Sequence, residues 1–166
     1  MEGLIESPDM QDRVRSLGDA LRQRGWRMAS AESCTGGLIA AVCTAVAGSS
    51  DWFERGWVTY SNAAKHQDLG VGEALIASYG AVSEPVARAM AQGALQRSGA
   101  QLAVAVTGIA GPGGAVPGKP VGTVWLAWGT DGQVQAERLQ LDGDRAAVRA
   151  GTVHAALARL LQAAQP

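Results

Sequence analysis

Five consecutive apolar residues, Leu102-Ala103-Val104-Ala105-Val106, constrain what this chain can fold into more than any other stretch. A sheet open to water on one side alternates apolar and polar residues. An unbroken apolar run of strand length therefore reads as a strand covered on both faces. Such a strand needs helices above and below it, and the flanking sequence supplies them. Gln11 to Arg24 places Val14, Leu17, Ala20 and Leu21 at helical spacing, with Gly25 just past the end. A second helix opens on Ser83-Glu84-Pro85, a start signal, and runs to about Arg97 with Val86, Met90, Ala94 and Leu95 on one face. A third follows Gly143-Asp144-Arg145 and carries Val148, Val153, Leu157, Leu160 and Leu161 on its buried side.

Further strands are expected at Trp26–Ala31, at Gly56–Tyr60, and at Gly122–Trp128 and Val134–Leu141. The last two are joined through Gly129-Thr130-Asp131-Gly132, and Asp-Gly between β-rich runs is a strong hairpin signal. The expected fold class is α/β: a single three-layer α/β/α domain with a mixed, mostly parallel five-stranded sheet. It would span residues 11–166, after a flexible lead-in over residues 1–10.

Polar residues collect where strands end. The strand Trp26–Ala31 runs through Glu32-Ser33-Cys34-Thr35-Gly36-Gly37 into a helix with Leu38, Ile39, Val42, Ala45 and Val46 on one face. The first N–H groups of a helix lack internal partners and the dipole is positive there, so this start suits an anion or a developing oxyanion. Ser33 or Thr35 acting only as a helix cap fits the same residues. Ser50 lies in the turn-forming Gly48-Ser49-Ser50-Asp51. Tyr60 closes the second strand, and Ser61 or Asn62 can cap a short helix that puts Lys65 one turn in. Thr107 opens a glycine-rich loop extending to Gly118, long for an irregular segment in a compact domain.

In open α/β sheets ligands bind outside the carboxyl ends of parallel strands, so these ends are expected to form the site. His66 and His154 give no persuasive Ser–His–Asp set. A serine activated by a neutral lysine is the better reading, with Lys65 as base and Tyr60 relaying a proton or orienting the lysine. The glycine loop has neither the Walker A pattern nor a Rossmann fingerprint. Arg145 offers a planar fork for a phosphate or carboxylate, and Arg149, one turn on, competes with it.

Other classes are disfavoured. The formal charge of −1 argues against a broad basic face for nucleic acid. No apolar run approaches a membrane span, and the N-terminus lacks a basic region followed by an apolar stretch, so a cytoplasmic protein is expected. Cys34 and Cys43, at the start and inside of one helix, are badly placed to pair and are expected to be reduced. No His or Cys spacing suggests a metal, and no cofactor is expected.

Five stretches together resemble the CinA C-terminal-domain family, whose stand-alone members are nicotinamide mononucleotide deamidases of the PncC type. They are Ala31-Glu32-Ser33-Cys34-Thr35-Gly36-Gly37, Gly48-Ser49-Ser50, Val58-Thr59-Tyr60-Ser61-Asn62-Ala63-Ala64-Lys65, Gly80-Ala81-Val82-Ser83-Glu84 and Thr107-Gly108-Ile109-Ala110-Gly111-Pro112-Gly113-Gly114. The resemblance spans about Val14 to Leu161 and implies an amidohydrolase that converts nicotinamide mononucleotide to nicotinate mononucleotide and ammonia. It implies catalytic roles for Ser50, Lys65, Tyr60 and Ser33, with no metal. Ser50 would attack, Lys65 would be general base, Tyr60 would assist, and Ser33 would serve the oxyanion or substrate; the two serines could exchange roles. Thr35, Gly36, Thr107, Gly108 and Arg145 would bind substrate, the last with Thr107 and the glycine loop around the ribose phosphate. The partner would be this small nucleotide, with no nucleic acid or membrane. Self-association is also implied, for which Trp52, Phe53 and Trp57 are available. A different amidase on this scaffold and a non-catalytic binding module are the alternatives. Phe53-Glu54-Arg55-Gly56-Trp57 departs from the family's pattern of two glycines and a small apolar residue.

Overall fold

In the computed structural model, which describes residues 2–166, the sheet is built outward from the apolar run. Leu102–Gly108 forms β3 at its centre, with β1 (Met28–Glu32) and then β2 (Phe53–Val58) on one side, and β4 (Thr123–Thr130) and β5 (Gln133–Gln140) on the other. β1 runs parallel to both β2 and β3, while β4 is antiparallel to β3 and to β5. The mixed sheet expected from the sequence is thus three parallel strands extended by the late hairpin.

Two helical layers cover it. α2 (Pro8–Arg24), α3 (Leu38–Thr44) and α7 (Arg145–Ala164) pack on the face carrying Met28, Leu102, Val104, Val106 and Leu126. α4 (Asn62–Leu69), α5 (Glu73–Tyr79) and α6 (Glu84–Ser98) cover the face carrying Ala31, Ala103, Ala105 and Ala127. Successive strand residues point to opposite faces. The apolar run therefore sends its large residues to one layer and its alanines to the other. All five of its residues are fully buried.

Some boundaries differ from the sequence reading. Within the lead-in Glu2–Ile5 forms a helical turn, α1, and α2 starts at Pro8, with Met10 fully buried in the core. Proline at the first helical position explains the early start. β2 begins at Phe53 and ends at Val58, which leaves Tyr60 beyond the strand. α3 starts at Leu38, behind a left-handed turn at Gly36 (φ 58°) and Gly37 (φ 101°), and ends at Thr44, short of Ala45 and Val46 in its apolar pattern. Among the described residues no helix is long and apolar enough to cross a membrane.

One glycine sets how closely α6 approaches the helix that carries Lys65. A Cβ on Gly93 would lie 2.0 Å from the carbonyl oxygen of Leu69, the last residue of α4. Gly93→Ala gains about 1 kcal/mol of helix propensity. The overlap with a backbone oxygen costs more, about 3 kcal/mol when α4 cannot yield. A lowered unfolding temperature is expected; a Gly93→Ala protein as stable as wild type would show that α4 moves freely.

Candidate active site

The site begins where β1 ends. Ser33 follows Glu32, and its N–H donates to the carbonyl of Val106 at 3.0 Å, so it still lies against β3. Lys65 arrives from the other side. The chain leaves β2, and the Ser61 hydroxyl accepts the Ala64 N–H at 3.0 Å, starting α4 with Lys65 one turn in. The Lys65 side chain is 2% exposed. Its Nζ is 3.1 Å from Ser33 Oγ and donates to the Thr59 carbonyl at 2.9 Å. Thr59 is itself tied down, its N–H donating to the Glu32 carbonyl at 2.8 Å.

Burial pushes the Lys65 pKa below its ordinary 10.5, and the nearby Cys34 opposes this only in part. A lysine moved in that direction is more often a neutral amine, whose lone pair can accept the Ser33 proton while an N–H still donates to Thr59. Burial pushes the Cys34 thiol the other way, up to about 12, so it stays protonated and is no rival nucleophile.

The start of α3 is already occupied. Glu32, fully buried, accepts the Ile39 N–H at 2.8 Å and the Thr35 hydroxyl at 2.7 Å on one oxygen, and the Ala40 N–H at 3.0 Å on the other. The helix has no side-chain cap from its preceding residue, Gly37, and no acid in its first turn. The anion expected at this N-terminus is thus the protein's own carboxylate, and neither Ser33 nor Thr35 is the cap. Thr35 is fully buried and its hydroxyl is spent on Glu32, so its side chain is not free for a substrate. Glu32 has no role in the reading from sequence alone. The available signal was a single acid closing a strand and preceding a helix that has no cap of its own.

Ser50 does not join Lys65. It sits exposed in a 3-10 turn, Ser49–Asp51, that leads into β2, and its carbonyl accepts Arg27 Nη2 at 3.2 Å. In the parallel pairing Met28 is opposite Phe53 and Glu32 opposite Val58. Ser50 therefore lies beyond the amino ends of the strands, and Ser33 and Lys65 beyond the carboxyl ends. The length of β1 separates them, at least about 13 Å at roughly 3.3 Å per residue. Within one chain the serine that meets the lysine is Ser33.

The remaining expected residues do gather at the carboxyl edge, with different partners. Tyr60, 61% exposed, accepts Arg145 Nη2 at 2.8 Å on its hydroxyl, so it faces the arginine rather than Lys65. Arg145 also donates through Nη1 to the Gly111 carbonyl at 2.9 Å, and so links the end of β2 to the glycine loop. Asp144 holds the start of α7 behind it, accepting the Ala147 N–H at 2.9 Å. Thr107 is buried, and its hydroxyl donates to the Ala81 carbonyl at 2.9 Å. A Cβ on Gly108 would come within 2.6 Å of Val124 and 3.1 Å of the Cys34 sulfur, so glycine is required there by packing. Among the described residues no group of His, Cys, Asp and Glu is placed to hold a metal ion.

Residues 10–164 match the CinA C-terminal domain family. The chain belongs to this family. Nicotinamide-nucleotide amidohydrolase PncC of Pseudomonas putida is 59% identical over 146 residues, which cover 88% of this chain and 91% of that protein. The PncC of Escherichia coli strain K12 is 53% identical over 147 residues, 88% of this chain and 89% of that one. Among solved structures, the competence/damage inducible protein CihA of Agrobacterium tumefaciens superposes with a TM-score of 0.91 at 45% identity, covering 95% of this chain and 96% of its own.

Two further features of this CinA C-terminal domain complete the site. Phe53–Val58 is an edge strand, along which the Arg55 guanidinium rests 5.8 Å from the Trp57 ring centroid and Glu54 pairs with Arg27 at 2.9 Å. Arg149 is not free to clamp a ligand. From α7 its Nε donates to the Cys34 carbonyl at 3.2 Å and its Nη2 to the Thr35 carbonyl at 3.0 Å. Gly36 fits beneath it, its Cβ position 3.4 Å from Nη2, and serves the turn.

Proposed function

We propose that this protein hydrolyses the carboxamide of nicotinamide mononucleotide to nicotinate mononucleotide and ammonia, with Ser33 as nucleophile and Lys65 as general base. The observation that carries the reading is the Ser33 Oγ–Lys65 Nζ approach of 3.1 Å with the amine buried. It is supported by a relative named nicotinamide-nucleotide amidohydrolase that is 59% identical over most of both chains.

In this scheme neutral Lys65 takes the Ser33 proton as Oγ attacks the amide carbon. The tetrahedral intermediate collapses with Lys65 returning that proton to the departing nitrogen, and ammonia leaves. Water then adds to the acyl-enzyme, giving its proton to Lys65. Release of the acid restores the Ser33 hydroxyl from Lys65, so one water is consumed per ammonia released. The exposed Tyr60–Arg145 pair and the glycine loop supply the cation and backbone donors suited to a ribose phosphate. Ammonia release from nicotinamide mononucleotide by the wild-type protein is the test, with free nicotinamide as the poorer substrate expected if the phosphate is held. No release from the nucleotide overturns the reading.

A further inference from the structure

We propose that Arg149 is a positioning residue for the reaction: by holding the Cys34 and Thr35 carbonyls it aims the Thr35 N–H at the oxyanion formed when Ser33 attacks. The inference rests on the reading of Ser33 as nucleophile.

Peptide geometry sets where the Thr35 N–H points. In a trans peptide the C=O and the N–H point in opposite directions. The only cis bond among the described residues is Gly111–Pro112, so the Cys34–Thr35 peptide is trans. Its carbonyl is drawn toward α7 by Arg149 Nε at 3.2 Å. Its N–H, which belongs to Thr35, must then point away from α7. The layers decide what lies that way: α7 packs on the face with α2 and α3, whereas α4 covers the opposite face and carries Lys65 to Ser33 Oγ. The Thr35 N–H therefore faces the reacting side of the turn. Among the described residues it donates to no acceptor.

The next peptide is held as well. Arg149 Nη2 takes the Thr35 carbonyl at 3.0 Å, and the N–H of that peptide, on Gly36, donates back to the Ser33 carbonyl at 3.0 Å. One rigid guanidinium thus orients two successive peptides, locking the second into the turn and leaving the first N–H free. A planar fork suits two adjacent carbonyls in a way a lysine ammonium cannot match. Its charge also polarises the peptide it binds, which strengthens the N–H on the other end. Because α3's own N-terminus is spent on Glu32, this turn is where a donor for the oxyanion remains.

Arg149→Met keeps the bulk against Gly36 and removes both bonds. Loss of one oxyanion donor lowers kcat by about 10²-fold or more, and a misaimed donor is expected to cost about 10- to 10²-fold on that scale, with KM for nicotinamide mononucleotide within about threefold of wild type. Arg149→Lys, able to reach one carbonyl, is expected to recover part of kcat. A second measurement separates positioning from general loosening. A 3-pyridylboronic acid adds the Ser33 oxygen to boron, passes the Ser33 proton to Lys65 and places a tetrahedral oxygen where the oxyanion forms. Its inhibition constant should rise in step with the fall in kcat, while that of nicotinate mononucleotide stays put. Unchanged kcat in Arg149→Met, or equal weakening of boronate and product, overturns the proposal. Ser33→Ala run alongside keeps the failures distinct: full activity there removes the nucleophile assignment, whereas an inactive Ser33→Ala beside a fully active Arg149→Met removes only the role of Arg149.

Discussion

Lys65→Met is expected to lower ammonia release from nicotinamide mononucleotide by about 10³-fold or more, Ser33→Ala by a similar factor, and the double variant by little further, because groups acting as one unit are not additive. The motivation is the single 3.1 Å approach between the two side chains, made where the amine is 2% exposed. Methionine fills much of the lysine's volume without a charge to bury, so the fold should survive. The pH dependence carries the sign. The neutral amine is the working form, and burial moves its ionisation below the ordinary 10.5. kcat should therefore rise with pH through that lowered value and level off above it. The lower the value, the larger the active fraction near neutrality. In Lys65→Met the rise should vanish from the residual rate. Ser50→Ala is the companion measurement: placed at the other edge of the sheet, it should stay near wild type. A Ser50→Ala protein as inactive as Ser33→Ala, or a Lys65→Met protein with the wild-type pH profile, would sink the assignment.

Glu32→Leu should be the most damaging single change to stability. Its carboxylate is fully buried and satisfies two α3 amides and the Thr35 hydroxyl at 2.7–3.0 Å. An apolar replacement leaves two buried donors and one part-buried donor unpaired, each costing about 1–3 kcal/mol. A net loss of about 4 kcal/mol follows if the loosened turn recovers part of this by admitting water, and for a domain of this size that is about 10 °C or more in unfolding temperature. It is also a large fraction of the roughly 5–15 kcal/mol that keeps a domain folded. Glu32→Gln is expected to be milder but still harmful, since one acceptor becomes a donor facing N–H groups. Denaturant unfolding measures both. A Glu32→Leu protein within about 1 kcal/mol of wild type would show that the α3 amides are satisfied some other way.

Why the site was only partly legible follows from the residues involved. Lys65 was readable because Ser61 or Asn62 marks a helix start and the lysine falls one turn in; the structure confirms Ser61 as the cap. The placing of Ser33, Tyr60 and Thr107 at one edge was readable from strand direction. Ser50 was misplaced because it is close in sequence to β2 but precedes it, and a loop that precedes a parallel strand lies at the amino edge. Tyr60 was assigned to the wrong partner, since Arg145 reaches it from 85 positions along the chain. The contacts of Glu32 and Arg149 escaped because they are made largely to backbone groups, which carry no sequence identity.

The sequence alone determined the layers. The apolar run of Leu102 to Val106 demanded cover on both faces, and the helical periodicities on either side of it supplied that cover; period and burial are local properties, written residue by residue. The tertiary structure decided which serine meets the lysine and which arginine is tied to the turn after β1. Those pairings depend on which end of a strand a loop occupies and on which face a helix returns to, and only the order and direction of the strands in the folded sheet specify them.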